Sequence, residues 1–240
     1  MTPEPHHAAL RRRALDAIVF DFDGVIADSE HLHLRSYQEV LALRGLHLTA
    51  DEYFQRYLGY DDIVLLRRYA AEHDQWWDDA TIAELLQAKT RRYEELAARG
   101  EMLFPGAAGF IRDAAAAVPI AIASGALTPE IEEILERAGL RELFLAVVGA
   151  DQTARSKPSP DPYLEAVHRI RAAGHAIDPS RTVAIEDTMW GLVSARTARL
   201  RCVAVTNTCR AEELAPHADL VVSGLSALSL DALDTLVLKV

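Results

Sequence analysis

Short, continuous runs of apolar residues recur along the chain, and most are rich in valine or isoleucine. Strands that are buried on both faces of a parallel sheet show this pattern, because neither face meets water. Each run is therefore predicted to be a strand of one such sheet. The runs cover residues 15–20, 118–123, 144–148, 182–185, 202–205 and 220–222.

Helical patterns alternate with these runs from residue 105 onward, at 129–138, 161–173 and 188–198. The first of them follows Thr128, a predicted N-cap, and has Pro129 at its first helical position. Alternation of strand and helix is typical of an α/β protein. The expected fold is a doubly wound, mostly parallel, Rossmann-like core sheet.

Residues 30–103 break this alternation, because they contain helical patterns at 31–44, 50–57, 62–72 and 80–99 and no convincing strand. The first strand must nevertheless pair with strands that come about 100 residues later. An α-helical cap domain inserted after the first strand explains both observations. The predicted organisation is a tail at 1–14, a core at 15–29 and 104–240, and a cap at 30–103, with a return hinge at Phe104-Pro105-Gly106.

Composition narrows the function further. The net charge is −11, which argues against a nucleic-acid partner because phosphate backbones repel an acidic chain. No apolar stretch is long enough for a membrane span, and residues 1–13 lack the apolar core of a secretory signal. Two cysteines, Cys202 and Cys209, are too few for a disulfide framework. We expect a cytoplasmic protein, a monomer or weak homodimer, that acts on a small molecule.

The strongest chemical signal is Asp21-Phe22-Asp23-Gly24, which directly follows the first predicted strand. In parallel α/β sheets, ligands bind beyond the carboxyl ends of the strands. Two carboxylates at such a point are costly to bury unless a partner compensates them, and Mg²⁺ prefers carboxylate oxygens. A polar turn at the end of a strand is the alternative.

Three later strands are followed by polar groups that would meet at the same edge of the sheet. Ser124-Gly125 could hold phosphate oxygens, although Ser-Gly turns are common. Lys157 lies between a serine and a proline, and the two interpretations are a fixed cation and an exposed loop lysine. Glu186-Asp187 precede a helix, and the two interpretations are metal ligands and N-cap acids. Together, the residues supply what phosphoryl transfer requires: a nucleophile, an acid and compensation for negative charge.

These motifs, in this order, resemble the haloacid dehalogenase (HAD) superfamily, in particular the β-phosphoglucomutase-like subfamily with a helical cap. The resemblance extends over residues 15 to about 225. It implies that Asp21 is a nucleophile that forms an aspartyl-phosphate and that Asp23 is the general acid and base. It also implies that Ser124 and Lys157 bind phosphate, with Gly24 and Gly125 contributing to substrate binding.

The resemblance further implies a Mg²⁺ site formed by Asp21, the backbone carbonyl of Asp23 and Asp187, with Glu186 in a direct or water-mediated role. Asp23 also discriminates within the superfamily, since dehalogenases and phosphonatases resemble this pattern without the second aspartate. Its presence favours cleavage of a C–O–P ester. We therefore expect a Mg²⁺-dependent phosphatase of a small phosphorylated metabolite, such as a sugar phosphate, with a β-phosphoglucomutase-like phosphomutase as the alternative.

Two cap residues match substrate-binding positions of the subfamily. His33 resembles a histidine that couples cap closure to the general acid, and Lys89 resembles a lysine that faces the substrate. The alternatives are a histidine on a helix surface and a solvated lysine. Trp76 and Trp77 are predicted to pack inside the cap, or else to stack on a sugar.

Two departures weaken the phosphomutase alternative. Residues 58–62 match the cap loop in which β-phosphoglucomutase has an arginine for the distal phosphate, but they contain acids and no arginine. Arg67 and Arg68 could replace it only if their helix were rotated. Leu127 stands where the mutase has a lysine. A mutase must bind a bisphosphate at both ends, so these differences favour hydrolysis.

Overall fold

A computed structural model describes residues 13–57, 60, 62–98 and 102–239, with only the backbone described at Ser29 and Ala98. Its sheet has six strands, all parallel to their neighbours, in the order β3-β2-β1-β4-β5-β6. All of the predicted strands are confirmed. They are β1 (Ala17–Phe20), β2 (Ile120–Ala123), β3 (Ala146–Val148), β4 (Thr182–Glu186), β5 (Arg201–Val205) and β6 (Leu220–Val222).

Helices follow the strands and also fill the segment after β1. Three-residue 3₁₀ turns lie between several of them. The α-helices are α1 (Ser29–Ala42), α2 (Ala50–Glu52), α3 (Asp62–Glu72), α4 (Asp79–Ala98), α5 (Ala107–Ala117), α6 (Thr128–Arg137), α7 (Asp161–Ala172), α8 (Met189–Thr197), α9 (Ala211–Leu214) and α10 (Leu230–Leu238).

Strand β1 lies at the centre of the sheet, with β2 on one side and β4 on the other. Ile18 is in register with both Ile120 and Val183. The strand order reverses at this point, so the loops after β1 and β4 leave in different directions and open a crevice between them. The residues that follow β1 therefore lie beside the residues that follow β2 and β4.

The two faces of the sheet have separate hydrophobic cores, as a doubly wound fold requires. Alternate residues of each strand point to opposite faces, so Ile18 and Phe20 belong to one core together with residues of α5, α6 and α10. Ala17 and Val19 face the other way, toward α7 and α8. Small alanines on this second face allow the helices to approach the sheet closely.

Helices α1, α3 and α4 share a third core, which contains no residue of the sheet. Tyr37, Tyr57 and Tyr69 are among its fully buried side chains. The chain returns toward the sheet beside the point where it left, because Ala27 bridges to Leu103 and the Phe104 amide donates to the Ile26 carbonyl at 3.0 Å. This arrangement is what an inserted helical cap would show. The exact domain boundaries stay a prediction.

Several local predictions need correction. Helix α6 begins at Thr128 and has Leu127 as its N-cap, because the Thr128 hydroxyl instead donates to Asp151 at 2.8 Å. The segment predicted as one helix at 50–57 changes to π geometry at Tyr53–Tyr57. Trp77 stacks near Tyr69 as cap packing, whereas Trp76 is 89% exposed and packs in no core.

Within the described ranges, no helix has the length and apolarity needed to cross a bilayer.

Candidate active site

The sheet brings the polar residues of all four motifs to one edge. Asp21 directly follows β1, Ser124 follows β2, and Asp187 follows β4. The loop before α7 contributes Lys157. These side chains are almost completely enclosed, although they are polar or charged. Burying so many such groups together is unfavourable unless they compensate one another or a ligand.

Lys157 compensates the negative charge of two of these carboxylates. Its Nζ lies 2.7 Å from Asp21 Oδ1 and 2.6 Å from Glu186 Oε1. Burial opposes a charge here, but the two carboxylates raise the pKa of Lys157 above its ordinary value. The ammonium therefore stays protonated beside the predicted nucleophile, where it can compensate phosphate oxygens.

Glu186 is held rigidly beneath Lys157. Its Oε1 also accepts from the Tyr163 hydroxyl at 2.9 Å, and its Oε2 accepts from the Asp187 amide at 3.1 Å. Gly191 packs against it so closely that an added Cβ would lie 1.8 Å from Glu186 Oε1. These contacts leave Glu186 little freedom to move.

Asp187 is less well satisfied. Its Oδ1 is buried and has no hydrogen-bond partner among the described residues. Burial first, and then the charge of Glu186, raise the pKa of Asp187 to about 7. Burial and Glu186 likewise raise the pKa of Asp21, against the opposing effect of Lys157. A nearby cation would relieve both carboxyls.

Asp21, Glu186 and Asp187 can each offer one oxygen, and these oxygens lie within 4.8 Å of one another. Three buried carboxylates at that separation fit a hard divalent cation such as Mg²⁺. The side chain of Asp23 is not part of this cluster, and the metal role predicted for Asp23 concerned its backbone carbonyl.

Gly24 lies against the same cluster. Its φ is +76°, and an added Cβ would lie 1.8 Å from Asp187 Oδ2 and 2.8 Å from Thr208 Oγ1. Asn207 Nδ2 donates to the Gly24 carbonyl at 2.7 Å. The sequence interpretation missed Asn207, Thr208 and Tyr163. The position of Asn207 and Thr208 just after β5 is the signal that could have found the first two.

A cavity of about 540 Å³ lies between the sheet edge and the helices that follow β1. Asp23 and Gly125 line it from the core, while His33 and Tyr93 line it from α1 and α4. Asp21 and Lys157 do not line this cavity and lie deeper. Ser124, also buried, accepts from the Ala126 amide at 3.1 Å, which shapes the loop that carries Gly125.

The family model for haloacid dehalogenase-like hydrolases matches residues 15–199 of the chain. The chain belongs to this family. The match includes all four motifs that meet at the sheet edge, together with the helical segment after β1. The family predicted from the sequence is therefore confirmed.

Similar proteins in this HAD family include phosphatases. The chain is 32% identical over 236 residues to Protein CbbY of Rhodobacter capsulatus, covering 92% of this chain and 99% of the relative. It is 30% identical over 199 residues to hexitol phosphatase B of Escherichia coli (strain K12), covering 80% and 84%. Crystal structures of CbbY from Rhodobacter sphaeroides, with phosphate or, for a mutant, with xylulose-(1,5)bisphosphate, match at 32% identity and a TM-score of 0.64, covering 92% and 99%.

Of the two cap residues that were expected to bind substrate in this HAD hydrolase, His33 lines the cavity and Lys89 does not. Lys89 is only 3% exposed and does not line the cavity. Its Nζ lies 2.8 Å from Asp62 Oδ2 and donates to His33 Nδ1 at 2.7 Å. His33 does line the cavity, so Lys89 reaches the cavity wall only through that ring. The predicted direct contact of Lys89 with substrate has no support from this geometry.

The loop that departs from the mutase pattern lies partly outside the described residues, at 58, 59 and 61. Its last residue, Asp62, is the partner of Lys89. Arg67 pairs with Asp79, and Arg68 pairs with Glu72 and Tyr60. Neither of these arginines lines the cavity.

Proposed function

We propose that this HAD hydrolase cleaves a small phosphate monoester, such as a sugar phosphate, through an aspartyl-phosphate on Asp21. The observation that carries the proposal is the contact between Lys157 and Asp21, because it fixes a cation beside a carboxylate that is otherwise costly to bury. Similarity to CbbY and to hexitol phosphatase B supports the same reaction class. The enzyme is a phosphoric monoester hydrolase.

In the first step, an Asp21 oxygen forms a bond to phosphorus while the bond from phosphorus to the ester oxygen breaks. Asp23 donates a proton to the departing alcohol oxygen. Lys157, Ser124 and the backbone amides of the Gly125 loop compensate the charge on the phosphoryl oxygens. In the second step, Asp23 takes a proton from water, which attacks phosphorus and releases phosphate and free Asp21.

Asp23 is placed well for this double role. It lines the cavity and is partly exposed, whereas Asp21 is buried. A group that exchanges protons with both alcohol and water needs that access, while a nucleophile benefits from exclusion of water. The helices after β1 would exclude bulk water by closing over this cavity.

We also propose Mg²⁺ as the cofactor. Asp21, Glu186 and Asp187 would hold it with their carboxylates, and Asp23 with its backbone carbonyl. Asp187 Oδ1 is buried without a hydrogen-bond partner among the described residues, and this and the raised pKa of Asp187 support a cation at this place. When bound, Mg²⁺ supplies charge compensation for the transferring phosphoryl group. A cytoplasmic location and a monomeric or weakly dimeric state stay predictions from the sequence.

The test is release of inorganic phosphate from a panel of hexose, pentose and smaller phosphate esters, with Mg²⁺ and with EDTA. We expect release with Mg²⁺, loss with EDTA and loss in Asp21→Asn. Asp16→Asn is the matched control, since Asp16 precedes the same strand at the opposite end and lies outside the site. Full turnover by the Asp21→Asn variant would show that Asp21 is not the nucleophile.

The panel also decides between hydrolysis and the phosphomutase alternative. It includes β-glucose 1-phosphate together with a bisphosphate primer, and glucose 6-phosphate is measured as the product. Formation of glucose 6-phosphate with little release of phosphate would replace the phosphatase assignment by the mutase.

A further inference from the structure

The positive charge of Lys89 is compensated inside the cap by Asp62. Asp62 accepts from Lys89 Nζ with both carboxylate oxygens, at 2.9 and 2.8 Å, and Tyr37 donates to the same carboxylate at 2.6 Å. Burial works against ionisation of Asp62, but the hydrogen bonds from Lys89 and Tyr37 lower its pKa. A phosphate or carboxylate group in the cavity would therefore meet no net positive charge from the Lys89–Asp62 pair.

His33 stands between this pair and the cavity and accepts a hydrogen bond from Lys89, as a neutral imidazole does. Burial first, and then the Lys89 ammonium, lower the pKa of His33. Because Lys89 can only donate, His33 Nδ1 is the acceptor, and the ring proton is on Nε2. The cap thus presents a neutral imidazole to the substrate.

The rest of the cavity wall is acidic. Glu30 comes from α1, and Glu130 and Glu133 come from α6. Asp23 also lines the cavity, but it holds its catalytic proton when the substrate binds. Arg137 is the one arginine or lysine among the described lining residues, and it already pairs with Glu133. Two separate helices, α1 and α6, therefore direct net negative charge at the same space.

Tyr93 shows that these carboxylates act at one place. Its ring stacks on His33, with the ring centroids 4.4 Å apart, and lines the cavity. Burial is the largest cause of its raised pKa, and Asp23, Glu130, Glu30 and Glu133 raise it further, to about 12. A charged substrate group beside Tyr93 would experience the three glutamates, because Asp23 holds its catalytic proton when the substrate binds.

We propose that this wall selects the alcohol part of the substrate by charge: it excludes a second anionic group and favours a protonated amine over a hydroxyl. The inference rests on the proposed phosphatase function and narrows its substrate class to phosphate monoesters of hydroxylated or amino-bearing carbon chains. In the proposed binding mode the phosphate lies beside Asp21 and Lys157, and the remote end of the molecule faces the acidic wall, where Asp23 and Gly125 connect the two regions. The proposal distinguishes this chain from the CbbY relative that was crystallised with a bisphosphate.

The test uses esters that share a skeleton and differ in charge at the remote end. One series is glucosamine 6-phosphate, glucose 6-phosphate and 6-phosphogluconate, with glucose 1,6-bisphosphate as the doubly phosphorylated member. A two-carbon series is phosphoethanolamine, ethylene glycol phosphate and phosphoglycolate. Each compound is measured as a substrate and as a competitor of p-nitrophenyl phosphate hydrolysis. At low salt we expect apparent affinity to fall by about fivefold to tenfold for each step from amine to hydroxyl to anion.

Variants and salt identify charge as the cause. Glu133→Gln removes one wall charge and releases Arg137, so the ratio of amine to anion affinity is expected to narrow about threefold or more. Glu136→Gln is the matched control, because it makes the same change on α6 at an exposed residue outside the cavity wall. Raising the salt concentration is expected to narrow the wild-type ratio in the same direction.

Each result has a distinct meaning. Equal or better binding of the anionic members would overturn the charge selection, as would a preference that neither salt nor Glu133→Gln changes. If no ester, including p-nitrophenyl phosphate, is hydrolysed, the proposed function fails instead. The charge series is then tested by binding to Asp21→Asn, measured as the shift in its unfolding temperature, and the same order of affinities is expected.

Discussion

Gly24 shows how tightly single residues are fitted around the acidic cluster. Gly24→Ala would place a Cβ 1.8 Å from Asp187 Oδ2 at a backbone φ of +76°. Gly45 has a similar φ of +73° with nothing within 4 Å of the added Cβ, so Gly45→Ala measures the backbone effect alone. We expect about 1 kcal/mol loss in the free energy of unfolding for Gly45→Ala. The loss should be clearly larger for Gly24→Ala, which should also lower phosphate release.

Denaturant unfolding and phosphate release, measured on both variants, check this prediction. Equal losses of stability, or full activity in Gly24→Ala, would mean that the backbone near Asp187 adjusts without disturbing the site.

His31 gives a prediction for the pH dependence of stability. The hydrogen bond to Asp28, the N-cap residue of α1, is the largest cause of the raised pKa of His31. A raised pKa in the folded state adds stability below the unfolded value of about 6.5, and this stability is lost as the pH rises through the folded value. The side chain is about half exposed, so the contribution should be only about 0.2–1 kcal/mol.

Urea unfolding of wild type and His31→Gln across pH 5.5–9 measures this contribution of His31 to stability. The difference in the free energy of unfolding is expected to be largest at the acidic end and to shrink as the pH rises. A difference that is constant across this range would show that the ion pair adds nothing.

Residue types alone were enough to identify most of the site. Asp21, Ser124, Glu186 and Asp187 are polar residues that directly follow or end short buried runs, and such positions are unusual enough to stand out. Tyr163 lies inside α7, where its spacing is that of any buried helix residue. Its hydrogen bond to Glu186 becomes visible only when the helix is packed on the sheet.

At the scale of elements, the Lys89–Asp62 pair joins α4 to α3, and Tyr37 adds α1. Asp62→Asn would leave a buried ammonium without an anionic partner. We expect it to lower the free energy of unfolding by about 1–3 kcal/mol. Asp79→Asn is the control, because its ion pair with Arg67 is exposed and its loss should cost at most about 0.5 kcal/mol.

Urea unfolding of the two variants makes the comparison. Similar small losses would show that the buried pair contributes no more than a surface pair, and that the Lys89 charge is stabilised by other groups.

Elements were predicted best where burial is continuous. The strands and α3 appeared as expected, because a run that is apolar on every side has few alternatives. Helices α9 and α10 were not predicted. Helix α10 becomes necessary once β1 and β4 expose a face that its Leu233 and Leu236 cover.

At the scale of the whole molecule, the proposed metal ligands come from the ends of β1 and β4, which are distant in sequence. A ligand that binds only the folded state stabilises it by mass action. Mg²⁺ at about 100 times its dissociation constant should raise the free energy of unfolding by about 2.7 kcal/mol. Denaturant unfolding with Mg²⁺ and with EDTA measures this increase without reference to activity.

Asp187→Asn supplies the comparison. Removing one of three buried carboxylates should stabilise the metal-free protein and abolish most of the response to Mg²⁺. An unchanged response in this variant would place the cation elsewhere.

The sequence by itself determined the sheet, the family and the polar residues that meet at one edge of the sheet. Continuous burial produces apolar runs. Charged residues at the ends of such runs are unfavourable to bury unless a partner or ligand compensates them, so they stand out in the sequence. Only the tertiary structure decided what the cap presents to the substrate. Whether Lys89 faces the cavity or is paired with Asp62, and whether Glu30, Glu130 and Glu133 meet around Tyr93, depends on how separate helices pack. Charges from distant segments act through space, and their positions along the chain do not record that distance.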